Sequence, residues 1–333
     1  MTIDRCAACG SSNWSNSGHC AQYELATCQE CGLTFTRNPD YSSQRYLSAY
    51  GQSQEPAPVA EEYRYVYSMP AKRLELENLA FFPPAPRLTL AQRMALAWLK
   101  AKLPAKVAVL DYGCGSGQFL QALRRAHFRA VGVEVAERLV RLLRLRGFEA
   151  IAAAGPDFPW RGEVPLAITF FDVLEHFPDP LELIEALKGR FSGVKILASV
   201  PSPVRSDLLM RGERGLSDFP PNHYLRWTPQ ALVAFFQRAG FTKVTVELPS
   251  PVGSELMPGA GRLLASLAGS SRSTAGVSRP GGEAALRIGR LGATALLWLQ
   301  RAYQVSMDVA GALRAGRARR MGASAHSMLV IAE

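Results

Sequence analysis

An α/β fold is predicted for this chain: a parallel sheet covered by helices, a small cysteine module ahead of it, and a helical insert before the last strand. Three observations predict it. Val107 to Leu110 is a short unbroken apolar run, as in a strand buried on both faces, and a glycine-rich turn follows soon after it. Phe119, Leu120 and Leu123 then recur at helical spacing, and Arg129 to Glu134 reads as a second strand, completing a βαβ unit. Far upstream, Cys6–Cys9 and Cys28–Cys31 form two C-x2-C pairs.

The 333 residues are 48% hydrophobic and 20% charged, an ordinary globular composition that suits one large domain with an appendage. No segment reaches the roughly 18 uncharged apolar residues that span a bilayer. The stretch MTIDRCAACG lacks the apolar run of a secretory signal, so cytoplasmic residence is the expectation. Six cysteines there read as ligands or packed thiols rather than disulfides. The net charge of +10 is unevenly placed. Ten arginines and three acids lie between Leu256 and Glu333, so the basicity belongs mainly to one segment.

A C-x2-C turn aims two thiolates at one point, and Gly10 and Gly32 after the pairs permit a tight backbone. Two such turns make the closed four-sulfur site of a Zn2+ ion, with Cys6, Cys9, Cys28 and Cys31 as ligands. Four thiolates leave no open coordination position, so this zinc is expected to be structural. Cys20, between the pairs, is read as a spare thiol.

The turn of the βαβ unit is Asp111-Tyr-Gly-Cys-Gly-Ser-Gly117. Its glycines let a ligand approach the backbone, and the following helix N-terminus offers free N–H groups. Glu134, ending the second strand, can accept ribose hydroxyls. An acid followed by G-x-G-x-G resembles the first motif of class I S-adenosylmethionine (SAM) methyltransferases. Leu166 to Pro180, containing D-V-L-E-H-F-P-D-P, is similar to that family's fourth strand and the loop after it, and Val194 to Pro201 to its fifth. The resemblance covers about residues 90–250 and implies a Rossmann-like seven-stranded sheet. It further implies that Asp111, Gly113, Gly115 and Gly117 line the methionine end and ribose of SAM, that Glu134 holds the ribose hydroxyls, and that Phe171 and Asp172 face the cofactor's edge. One departure stands out: after the third strand, Ala152 to Asp157 offers only Asp157 as an acid for the adenine amino group.

Two histidines are candidates for chemistry. His176 lies in the loop after the fourth strand. His223 lies in FPPNHYLRW, where Pro220 and Pro221 stiffen the approach. Those prolines follow the fifth strand, which excludes the proline-aromatic arrangement that nucleic-acid amino-methyltransferases carry after the fourth. Thr228 reads as an N-cap, Pro229 as the first helical residue and Gly240 as the helix end. His223 is thus expected on a loop facing the mouth of the site. In deoxysugar C-methyltransferases, which also carry a cysteine zinc module, a Glu-His pair at the similar place abstracts a proton; here the pair is Asn222-His223. Methyl transfer needs alignment and deprotonation of a weak nucleophile, so His223 is the candidate base.

Residues 1–40 are expected to form the zinc ribbon, 41–89 a linker and helical lid, 90–250 the SAM-binding core, 251–326 a basic helical insert, and 327–333 the last strand. In the insert, apolar residues from Leu291 to Ala312 recur in 4-3 spacing, a helix with one apolar stripe. A docked lid, peripheral membrane contact and dimerisation through residues 285–320 are all open uses of it. The expected function is methyl transfer from SAM to an oxygen or carbon of a small molecule, which a glycan-, polyketide- or lipid-linked precursor would fit, with no specific nucleic acid as partner. An RNA methyltransferase with a zinc ribbon and a SAM-binding scaffold without turnover are the alternatives.

Overall fold

The computed structural model describes residues 2–42, 88–205, 218–251 and 316–333. The chain divides into two compact units, Met1–Pro249 with Ser324–Glu333, and Ser250–Ala323. The first unit holds two sheets. The N-terminal sheet comprises β1 (Trp14–Cys20), β2 (Tyr23–Cys28) and β3 (Thr34–Thr36), a meander closed by the cysteine turns. The large sheet begins after helix α1 (Leu90–Lys102), whose N-cap Thr89 and Gln92 bond reciprocally in a capping box.

Its strands are β4 (Ala108–Tyr112), β5 (Arg129–Glu134), β6 (Glu149–Ala152), β7 (Ala167–Phe171), β8 (Lys195–Pro201), β10 (Val244–Glu247) and β11 (Ser327–Ala332). The spatial order is β10-β11-β8-β7-β4-β5-β6. β11 runs antiparallel to both neighbours, while β8, β7, β4, β5 and β6 are parallel. The order reverses beside β4, and in such sheets the crevice at that switch point, beyond the strands' carboxyl ends, takes the ligand. Helices α2 (Gln118–Arg125), α3 (Glu137–Leu145) and α4 (Leu181–Arg190) make the crossovers. Helix α5 (Pro229–Arg238) is capped by the Thr228 hydroxyl, which accepts from Ala231 N, and Gly240 follows it at φ +83°.

The strands expected from sequence are present, within two residues at their ends. β5 begins and ends as expected because Arg129 and Glu134 carry the polarity that bounds it. The last strand does hairpin between the fifth and sixth, and both its faces are buried. Residues 43–87 of the expected linker and lid, and most of the insert, lie outside the described residues. Of the second unit, residues 316–320 are helical and end on Gly322 at φ +74°. No helix among the described residues is long and apolar enough to cross a membrane.

A short strand, β9 (Leu225–Arg226), precedes α5 and pairs with β3 rather than with the large sheet. Phe35 stands opposite Leu225, and Thr34 opposite Arg226. The Thr228 hydroxyl donates to Cys31 O at 2.6 Å, and Arg238 reaches Ala7 O at 3.2 Å. Leu33 and Phe35 of the ribbon share one apolar cluster with Trp227, Leu232 and Phe235. The ribbon and the core therefore bury surface together and should unfold together. Phe235 is fully buried in that cluster, so Phe235→Ala should cost about 3–5 kcal/mol in a single denaturant transition. A two-step transition, with the ribbon melting first, would contradict the shared core.

Asp111 is buried at the end of β4, where its Oδ1 accepts the Thr169 hydroxyl of β7 at 2.7 Å. Burial pushes its carboxyl up to about 7, the Thr169 bond opposing and the Glu134 charge adding. The unfolded chain ionises this group near pH 4, so its contribution to stability is full below that and is lost as pH rises through about 7. Asparagine keeps the Thr169 bond without the charge. Relative to wild type, the melting temperature of Asp111→Asn should rise between roughly pH 4 and 7 and level off above; a difference that is flat across that range would show that Asp111 ionises freely in the fold.

Candidate active site

The glycine turn after β4 has a division of labour. Gly113, Gly115 and Gly117 all sit at positive φ, +75°, +52° and +79°. A Cβ at Gly113 would meet Val173 Cγ2 at 2.6 Å, and one at Gly117 would run into Leu143. At Gly115 nothing lies within 4 Å, so its open face is where a ligand can approach the backbone. Cys114 is packed instead: a Cβ on Gly132 would meet its sulfur at 2.6 Å, and burial pushes the thiol up, which fits a small filler and not a nucleophile.

Glu134 ends β5 with both oxygens engaged. Oε2 accepts from Gly115 N at 2.9 Å and Oε1 from Ala136 N at 3.0 Å. The carboxylate is thereby aimed across the turn. A cavity of about 130 Å³ opens here. Gly113, Glu134 and Asp172 line it, with Ala153 and Ala154 beyond β6 and with His176 and Phe177 at the other end. The remaining sequence-predicted residues lie elsewhere. Asp111 and Gly117 support the turn from below, and Phe171 packs edge-on against Phe119 at 4.5 Å. Asp157 does not line the cavity; past β6 its wall is formed by Ala153 and Ala154.

Tyr112 and Tyr41 were not anticipated as lining residues, and Asp172 was anticipated only in part. Tyr112 lines the cavity and its buried hydroxyl has no hydrogen-bond partner among the described residues. Its place next to the acid of the motif was visible, but not its direction. Tyr41 comes from the end of the ribbon, in ring contact with Phe177 at 5.5 Å. Asp172 was expected at the cofactor's edge, but not its backbone: it has φ +55°, and Oδ1 accepts from Ser199 Oγ at 3.0 Å and Ser327 Oγ at 3.2 Å. A left-handed aspartate is strained and persists where its surroundings hold it, as at functional sites.

The two histidines meet. The turn Leu174–His176 and the Phe219–Tyr224 loop bring their rings to 4.8 Å, edge to face. His176 Nδ1 lies 2.6 Å from Asn222 O, and since a carbonyl oxygen only accepts, that nitrogen is the donor. Asn222 thus acts through its backbone carbonyl. His223 faces a second, smaller cavity of about 20 Å³ with Arg205 and Asp218, and not the mouth of the first. The acid missing beside it in sequence is supplied five residues earlier: Asp218 Oδ1 is 4.0 Å from His223 Nδ1 and also pairs with Arg205. Burial, reinforced by the charges of His176, Arg226 and Arg205, holds His223 well below the usual imidazole range, so it is neutral near pH 7. A base titrating near pH 6–7, as expected of histidine from sequence, does not fit this environment.

Glu175 is fully buried, and neither of its carboxylate oxygens has a partner among the described residues. Burial, with Asp172 and Asp218 adding, pushes it well above the carboxylate range, so it is held as the neutral acid. Glu175, His176 and His223 present donor atoms within 4.8 Å of one another, a group that could hold a cation. The other such group is Cys6, Cys9, Cys28 and Cys31, whose sulfurs also lie within 4.8 Å. Cys6 Sγ–Cys31 Sγ and Cys9 Sγ–Cys28 Sγ are each 3.5 Å. A tetrahedral ion at roughly 2.3 Å from each sulfur would space them about 3.8 Å apart, so the four thiols fit zinc with little movement.

Residues 85–246 match the profile of a family described as a methyltransferase domain. Over 162 residues the chain is 28% identical to a ubiquinone biosynthesis O-methyltransferase of Xanthomonas axonopodis pv. citri, covering 44% of this chain and 67% of that one. A similarly described protein of Xylella fastidiosa is 31% identical over 99 residues, 27% of this chain and 40% of its own. The matches thus span at most about two thirds of these relatives' length. A SAM-dependent methyltransferase from Archaeoglobus fulgidus aligns with 79% of this chain and 99% of its own at 16% identity and a TM-score of 0.41. The reversed sheet order around β4, the acid–glycine turn ending against Glu134 and the profile match agree: this chain carries a class I SAM-dependent methyltransferase domain.

Proposed function

We propose that the chain transfers a methyl group from SAM to an oxygen or carbon of a small molecule, with the histidine pair at the acceptor end of the site. The observation that supports this reading is the ring contact of His176, which lines the same cavity as Asp172, with His223 behind it. Gly113, Gly115 and Glu134 would hold the cofactor's methionine end and ribose, and Ala153 and Ala154 would leave room for the adenine. Bound SAM supplies an electrophilic methyl on a sulfonium centre. What the chain must add is alignment, exclusion of water and a destination for the acceptor's proton. His176, its ring oriented by the Nδ1 bond to Asn222 O, lines the cavity where it would stand beside the acceptor's hydroxyl. His223 is the group behind it, kept neutral by burial and backed by Asp218 and so able to accept. The names of the relatives, with O-methylation in ubiquinone biosynthesis, favour a small-molecule acceptor over a polymer.

Zinc in the ribbon would be held by Cys6, Cys9, Cys28 and Cys31 and would do no chemistry, since four thiolates fill its coordination. Its effect is to fix the turn whose Cys31 carbonyl receives the Thr228 hydroxyl. Cys28→Ala should therefore release the metal and speed amide exchange at Leu225 and Arg226, read by metal analysis and hydrogen exchange. Purified wild type without zinc would end this assignment.

The acceptor itself can be found by mass spectrometry of a cell extract incubated with enzyme and SAM, as the metabolite that gains one CH2. With that acceptor fraction, His223→Ala should keep SAM affinity by calorimetry and lose turnover by roughly 10²–10⁴-fold. Wild-type turnover in His223→Ala would remove the pair from the chemistry. Extracts in which no metabolite gains mass would favour a SAM-binding protein without turnover.

A further inference from the structure

We infer that the ribbon positions the methyl-transfer histidines, through a clamp on Tyr224 in which Asp40 is the key positioning residue. The inference rests on the reading of the histidine pair given above. Tyr224 is the residue after His223, is 1% exposed, and is held at every polar point. Its N donates to Glu175 O at 2.9 Å, in the turn that carries His176. Its carbonyl accepts from Thr36 N at 3.0 Å and from the Thr36 hydroxyl at 3.2 Å, both at the end of β3. Its hydroxyl donates to Asp40 Oδ1 at 3.1 Å, and the same oxygen accepts from Tyr23 of β2 at 2.8 Å.

The two histidines therefore have one common neighbour, and three of its four anchoring bonds come from the ribbon. Along the backbone, Tyr224 joins β3 to the His176 turn. Through its side chain, it is tied to a carboxylate that is itself seated against β2. The ring also packs: Tyr23 lies 6.4 Å from it and Tyr41 6.1 Å, both near perpendicular. Asp40 and Tyr41 are consecutive, so the residue that anchors Tyr224 is covalently next to one that lines the SAM cavity. Sliding of the ribbon would shift His223, the His176 turn and Tyr41 together. In methyl transfer, where reacting atoms must lie in line, a displacement of about 1 Å can cost roughly 10²-fold in rate.

Tyr224→Phe removes only the hydroxyl, and Asp40→Asn only the charge, and neither touches a cysteine. Ser17→Ala is the comparison: it deletes a ribbon bond to Thr27 on the exposed side of β1, away from the clamp. Each variant would be studied as the full chain with its zinc content measured. Side-chain imidazole NMR of His176 and His223, with and without S-adenosylhomocysteine, needs no acceptor and so reads the clamp even where the proposed reaction fails. Methyl transfer from labelled SAM to the mass-gaining extract fraction supplies the rate. The clamp predicts displaced imidazole signals and a roughly 10-fold lower rate in Tyr224→Phe and Asp40→Asn, at wild-type zinc content and SAM affinity, with Ser17→Ala unchanged. Wild-type imidazole signals in both clamp variants would overturn the inference, as would displaced signals at an undiminished rate. An equal displacement in Ser17→Ala would overturn it too, because general loosening of the ribbon would then explain the effect.

Discussion

A strand of two residues cannot satisfy its own backbone, and the pairing of Leu225–Arg226 with β3 resolves that need in a way the whole site depends on. The segment enters α5 directly, so its position also sets the Thr228 cap and the first turn of that helix. On its other side it continues back to His223 and Asn222, which meet the His176 turn. Had the loop after β8 paired with the large sheet, the histidine would sit over strands already buried on both faces. By pairing with the ribbon it is held instead against His176, which lines the cavity. Cysteine turns, ribbon strands, histidine loop and α5 are thus one mechanical path.

The electrostatics of the site follow from how dry that arrangement is. Asp111, Glu175 and His223 are all shifted toward their neutral forms, each with burial as the leading cause. Glu134 lies only a few residues from the same interior, yet two backbone N–H groups serve its oxygens. The site thus keeps one carboxylate amply bonded and leaves another, Glu175, without a partner among the described residues. An orphaned buried carboxyl costs stability, about 1–3 kcal/mol for the missing bond alone. That cost falls beside the two histidines, whose donor atoms lie within 4.8 Å of its own.

The sheet was legible because its signals are local. Val107–Leu110 and Arg129–Glu134 are apolar runs bounded by polar residues, and Thr228-Pro229 announces a helix start by chemistry alone. The cysteine cluster was legible because ligand spacing is a short-range property. The glycine turn was only half legible. Its positive φ values follow from the motif, but which glycine faces packing and which faces open space depends on Val173 and Leu143, distant in sequence. The packing of Phe171 was hidden for a related reason: its ring partner, Phe119, lies on α2, far from it in sequence. Asp218 stood within five residues of His223, and its role needed the turn through the two prolines to become visible. Tyr41 and Tyr224 were beyond reach, since no short-range pattern says that a ribbon will donate a lining residue to a catalytic cavity.

That last point bears on what the ribbon is for. A metal-closed turn contributes rigidity that a segment of about forty residues could not gain from its own core. Rigidity confined to an appendage would be of little use to chemistry elsewhere. Here it is exported by three bonds to Tyr224, by the Thr228–Cys31 bond and by the shared cluster around Phe35 and Trp227. The cofactor end of the site draws its order from the parallel sheet, whose strands are fixed by neighbours on both sides. The acceptor end has no such neighbours, because the loops there leave the sheet. A second sheet set against those loops supplies a constraint there, and zinc on its four cysteines would stiffen it where, on the proposed reading, alignment of the acceptor decides the rate.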